Sequence, residues 1–196
     1  MYSSEYKPID FNNDDNLDTI LHEILHAIKA YGKIMLKDGK IVTSTGLIQT
    51  IYSYDNLGNI NEEKSYYTGI EEAFNVAATS SILSMITKRQ QPFRSYSSAG
   101  FLANTMLSNQ ELATVIKSSQ LKGDTNWIQY FGKSSEEVIK SFDILINMMY
   151  LSPKEVINKS LREKKKDEAK LACEFLEDFI LEHCNIDFYF PERKHK

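Results

Sequence analysis

The chain has 196 residues, of which 42% are hydrophobic, 26% charged and 11% aromatic, with eight Gly and four Pro. That composition excludes a collagen-like or low-complexity chain and wholesale disorder, and it supplies enough apolar side chain for a real core. Lys and Arg number 23 against 27 Asp and Glu, a formal charge of −4. The chain therefore lacks the basic excess of a nucleic-acid binder, and no apolar run approaches the roughly 18 residues of a membrane-spanning helix.

Residues 1–16 are polar, and Asn12-Asn13-Asp14-Asp15-Asn16 is a helix-initiating cluster. The first residues lack the basic-then-apolar pattern of a secretory signal, so the default expectation is a cytoplasmic protein. From Leu17 to Tyr31 the spacing of Leu17, Leu21, Ile24, Leu25 and Ile28 predicts a helix. Asp15 or Asn16 can cap its start, Asp18 suits its first turn, and Gly32 stands at the place of a C-terminal cap.

The period then changes. Lys33–Leu36, Ile41–Thr45 and Leu47–Tyr54 are rich in Ile, Val, Thr and Tyr, with Asp38-Gly39 as a tight-turn pair and Asp55–Asn59 as a further turn. A small antiparallel sheet is expected between about residues 33 and 60. Helical spacing returns after Tyr67. Thr68-Gly69-Ile70-Glu71 fits a capping box, and the helix runs to about Lys88, before Gln91-Pro92. Helices are expected near 97–108, 109–119, 134–149, 153–165 and 166–184. The whole reads as one domain, 1–196, with a half at 17–90 and a helical half at 91–196.

Cys173 and Cys184 lie three turns apart on one predicted helix, about 16 Å, beyond disulfide reach. Lys164-Lys165-Lys166 is answered by Glu163, Asp167 and Glu168 and reads as a solvated face. Trp127, with Tyr130 and Phe131, reads as a packing anchor. Leu171, Phe175, Leu176, Phe179 and Ile180 read as a core stripe, and His183 as a favourable charge at a helix C-terminus.

The stretch that carries chemistry is His22-Glu23-Ile24-Leu25-His26, which holds two of the four histidines. On a helix, residues four apart stack on one face, so both imidazoles can reach one zinc ion at about 2.0–2.1 Å. Glu23 is turned about 100° from His22 and can take a proton from water beside the metal. A third ligand is sought in Gly69-Ile70-Glu71-Glu72-Ala73-Phe74-Asn75. Glu71 stands where a capping box would turn its carboxylate back to the backbone. Glu72 stays free and is the preferred ligand, with Glu71 the competitor and Asn75 a group that can orient a ligand histidine.

With those residues the chain resembles the gluzincins, zinc metallopeptidases whose ligands are two His and one Glu. It is similar in length and helical character to the small, minimal-scaffold gluzincins and to Firmicute proteins with the same motif. Members of that family carry a sheet before the active-site helix whose edge strand holds the substrate; here 16 residues precede the helix, and either the sheet at 33–60 supplies that edge or the chain is shortened at its N-terminus. The resemblance implies an α+β, mainly α-helical zincin-like domain, with the small antiparallel sheet between the active-site helix and the third-ligand helix. It implies Zn2+ on His22, His26 and Glu72, Glu23 as general base, and a peptide or protein substrate. An oxyanion donor is expected from a Tyr, Tyr96 before Tyr67. The competing reading is a catalytically inactive zinc-binding or helical protein-interaction domain. A narrower one is a protease dedicated to a single regulatory protein.

Overall fold

The structure, a computed structural model, describes residues 14–29, 35–91, 97–148, 151 and 153–190. Helix α1 spans Asp14–Ala27. It starts within the predicted polar cluster and ends earlier than the leucine spacing suggested. The amide of Ile28 still bonds Ile24 O at 3.0 Å, but Lys29 bonds His26 O at 3.4 Å and leaves the helix. Tyr31 and Gly32 lie outside the described residues.

Strands β1 (Met35–Lys37), β2 (Lys40–Thr45), β3 (Ile48–Tyr54) and β4 (Ile60–Tyr66) form an antiparallel meander in that order. Asp38 and Gly39 join β1 to β2 with φ of 50° and 76°. Positive φ at both positions is the twist-matched geometry that Asp-Gly favours in a two-residue hairpin. Between β3 and β4, Asp55 Oδ1 accepts from the amides of Leu57 and Asn59, both at 2.8 Å, and so closes the expected turn. The sequence pattern yields three strands, and β4 adds a fourth. Every residue of β4 is exposed, so it has no buried face to leave an alternation in its sequence.

Helix α2 spans Thr68–Thr87 and is buried on most of its circumference, from Ile70, Ala73 and Phe74 to Ala77 and Leu83. A helix buried on most of its faces belongs at the centre of a fold, and α1 packs on it from one side. From the other sides come α3 (Ser97–Leu107) and α6 (Ser135–Met148). The outer helices are α4 (Gln110–Lys122), α5 (Asn126–Tyr130), α7 (Pro153–Ile157) and α8 (Lys159–Cys184). Asn109 caps α4 by accepting from Glu111 N and Leu112 N, and Gly123 ends it at φ 62°.

The chain is thus α+β and mainly helical, with its small sheet between α1 and α2. One core gathers Leu47, Ile70, Phe74, Leu102, Met106, Leu112, Trp127, Phe142, Leu176 and Phe190, among others, from the β2–β3 connection through the C-terminal segment. Trp127 is fully buried, edge-on to Tyr67 at 5.3 Å and to Phe131 at 5.9 Å. Among the described residues, no helix is long and apolar enough to cross a membrane.

Three expectations are corrected. The residues around 159–184 form one continuous helix, not two, because the Lys164–Lys166 run contains neither Gly nor Pro. The break falls instead at Asn158, whose side chain caps α8 by accepting from Leu161 N. Leu171 is 65% exposed and lies off the α8 core stripe. The capping box at Thr68 does not form. Tyr67, left-handed at φ 67°, precedes the helix without a side-chain cap.

The N-terminus of α2 is served from outside. Asp143, on α6, accepts from Gly69 N at 2.7 Å. The approach leaves no room for a side chain at position 69, since a Cβ there would lie 2.3 Å from Asp143 Oδ1 and 2.7 Å from its Cα. Gly69→Ala is therefore expected to destabilise the protein by about 1–3 kcal/mol through overpacking. Urea unfolding would show this as a lowered midpoint at unchanged slope.

Candidate metal centre

His22 and His26 lie on the face of α1 that meets α2, and Glu72 lies on the facing turn of α2. The spacing that made α1 helical therefore sets its two imidazoles one above the other, 4.7 Å apart between ring centroids and 74° between planes. His22 Nε2 is 3.1 Å from Glu72 Oε2, and His26 Nε2 is 3.1 Å from Glu72 Oε1. The two Nε2 atoms are themselves 3.1 Å apart. The side chains are 18%, 26% and 16% exposed, so the cluster is recessed yet open to solvent.

The three residues offer donor atoms that lie within 4.8 Å of one another, which can hold a metal ion. Atoms bound at about 2.0–2.1 Å to one tetrahedral centre lie about 3.3–3.4 Å apart, close to the spacings here. Two neutral imidazoles and a carboxylate form a mixed nitrogen and oxygen donor set suited to zinc and its neighbours among the divalent metals.

Burial pushes the Glu72 carboxyl up, but hydrogen bonds from His22 and His26 and their charges outweigh it and hold the pKa at about 2. Asp18, one turn before His22 on α1, is raised by burial, with the charge of His22 opposing. For Glu72 the folded value lies below the ordinary 4.5. Its charge therefore stabilises the metal-free fold above pH 4.5 and is lost as the pH falls through about 2. Comparing urea midpoints of metal-free wild type and Glu72→Gln from pH 7 to pH 2 tests this. The wild-type advantage is expected to close over that acid window.

Glu23 is exposed, next to His22 in sequence and turned away from the α1–α2 seam. Tyr96 lies outside the described residues. Tyr67 is half-buried against Trp127 and packs on the core, and burial raises its hydroxyl pKa. His183 stands in the last turn of α8, its ring 4.3 Å from that of Phe179. His195 is outside the described residues.

Glu71 goes elsewhere than the capping box required. It is fully buried. Its Oε2 accepts from Leu47 N at 2.9 Å, in the connection between β2 and β3. Its Oε1 pairs with the ammonium of Lys29, just past α1, and Gln120 of α4 reaches both oxygens at 3.4 Å. Lys29 Nζ also donates to Asn75 Oδ1 at 3.1 Å, and Asn75 Nδ2 donates to the backbone carbonyl of His22 at 3.1 Å. Asn75 thus holds the backbone of His22, not its ring. Lys29 is not among the residues the sequence singles out, although in a helix running to Tyr31 positions 22, 26 and 29 would share one face. Nor does the sequence single out Gly46, whose φ is +59° and whose added Cβ would meet Lys29 Cδ at 2.9 Å and Glu71 Oε1 at 3.0 Å.

No family model matches the chain, and neither the curated proteins nor the solved structures give a match to it.

Proposed function

We propose that the chain is a zinc-dependent metallopeptidase of gluzincin type that hydrolyses peptide bonds in a peptide or protein substrate. The observation that supports this reading is the convergence of His22 and His26 with Glu72, 50 residues on from His22, into one solvent-open donor cluster. Zinc held by those three side chains would supply Lewis acidity, acidifying water and polarising a carbonyl.

The chain's own residues would do the rest. His22 and His26 must be neutral to bind, whereas Glu72 is already ionised at neutral pH, with its pKa held at about 2. Glu23 would act as general base toward the attacking water and return the proton to the leaving amine. It stands outside the donor set and faces solvent, where a substrate can reach it. Tyr96 is proposed as the oxyanion donor, ahead of Tyr67, whose ring packs against Trp127.

The test is incubation of zinc-loaded protein with a mixed peptide pool, followed by mass spectrometry for new termini. Cleavage that stops with a chelator and resumes with added zinc supports the reading. A protein that holds one zinc per chain and cuts nothing in a diverse pool is instead the non-catalytic zinc-binding domain.

A further inference from the structure

Helix α1 carries both imidazoles but has little apolar anchorage. Among its described residues none belongs to the hydrophobic core, and Ile24 and Ile28 are 46% and 60% exposed. Of residues 17–29 only Lys29 is buried, and it is a charged one. Apolar contact is non-directional and would let such a helix slide or roll on α2. The polar contacts around Lys29 are directional and enclosed.

We infer that Lys29, Glu71 and Asn75 form a positioning clamp that locks α1 to α2 in one register and thereby sets the spacing of the metal-binding atoms. This rests on the metal site proposed above. Three tethers converge. The ammonium of Lys29 is held by Glu71 and Asn75, both on α2. Asn75 reaches back to the carbonyl of His22 and fixes the backbone of a ligand residue. Glu71 is itself pinned by Leu47 N, so the sheet braces the clamp from behind.

Glu71 precedes Glu72 directly, and Lys29 follows His26 by less than one turn, so each end of the clamp abuts a ligand. A buried ion pair often gives no more stability than apolar residues of the same volume. What this one supplies is geometry. The absence of a side chain at Gly46 serves the same end, because a Cβ there would push on Lys29 and Glu71 together.

Two variants test the clamp. Asn75→Leu keeps the branched shape and removes the links to Lys29 and to the His22 carbonyl. The double variant Lys29→Met with Glu71→Gln removes both charges together and leaves neither buried alone. Two readouts are taken: hydrogen exchange of α1 amides in metal-free protein, and zinc affinity by competition with a chromophoric chelator. The expected result is faster exchange confined to α1 and zinc affinity lower by roughly 10- to 100-fold, with core exchange unchanged.

Cobalt substituted into each variant is expected to give an altered visible spectrum, a change that loss of stability alone would not cause. Unchanged α1 exchange in both variants overturns the clamp, as does zinc affinity within about threefold of wild type. If wild type binds no zinc, the metallopeptidase reading fails, and the clamp is judged on α1 exchange alone.

Discussion

Glu23→Gln is expected to retain one zinc per chain and to lower peptide hydrolysis by roughly a hundred- to ten-thousandfold, the range that a positioned general base supplies. The substitution keeps the side chain's size and removes only its capacity to take a proton. Glu23 lies outside the cluster of His22, His26 and Glu72, so metal content should not follow activity. Its exposure on α1 means that fold stability should change by no more than about 0.5 kcal/mol. The measurement is kcat/KM on a cleaved peptide beside zinc content of the same sample. Equal rates in wild type and Glu23→Gln would remove Glu23 from the mechanism.

Two adjacent glutamates are expected to give opposite phenotypes. Glu72→Ala should lose zinc yet keep the metal-free fold, because its carboxylate contacts imidazoles at a recess still open to water. Glu71→Ala should do the reverse and damage the fold first. It would leave the buried ammonium of Lys29 without its counter-charge and the amide of Leu47 without its acceptor. Breaking a buried ion pair on one side costs about 3–5 kcal/mol, a large part of the roughly 5–15 kcal/mol that holds a typical domain together. Urea unfolding of both metal-free variants checks this. A stable Glu71→Ala and an unfolded Glu72→Ala would mean that the two roles have been exchanged.

How much of this was legible in the residues depends on the range of the interactions. The α1 helix was readable from its leucine spacing, and the stacking of His22 over His26 follows from that helix alone. The Asp38-Gly39 hairpin was readable for the same local reason, since the pair favours the positive φ the turn needs. β4 left no mark because it has no buried face.

The two glutamates show where local reasoning stops. A capping box at Thr68 was a sound local expectation, and it set Glu71 aside for a backbone contact. The structure commits Glu71 to long-range partners instead, a β-turn amide and Lys29. Glu72 remains the glutamate at the cluster, for a different reason than the one the sequence offered. Lys29 had a signal, since in a helix running to Tyr31 it would share the ligand face, but a lysine on a helix is ordinarily solvated. Nothing in the sequence shows that Gly46 makes room for it. The capping of α2 by Asp143 was equally hidden, because its partner lies 74 residues away.

The most direct test of the metal centre is zinc-edge X-ray absorption on the purified protein, with zinc counted per chain. The expected result is one zinc per chain, nitrogen and oxygen scatterers at about 2.0–2.1 Å, an imidazole signature from two rings, and loss of the metal in both His22→Ala and Glu72→Ala. Full zinc occupancy in either variant, or a sulfur scatterer at about 2.3 Å, would contradict it.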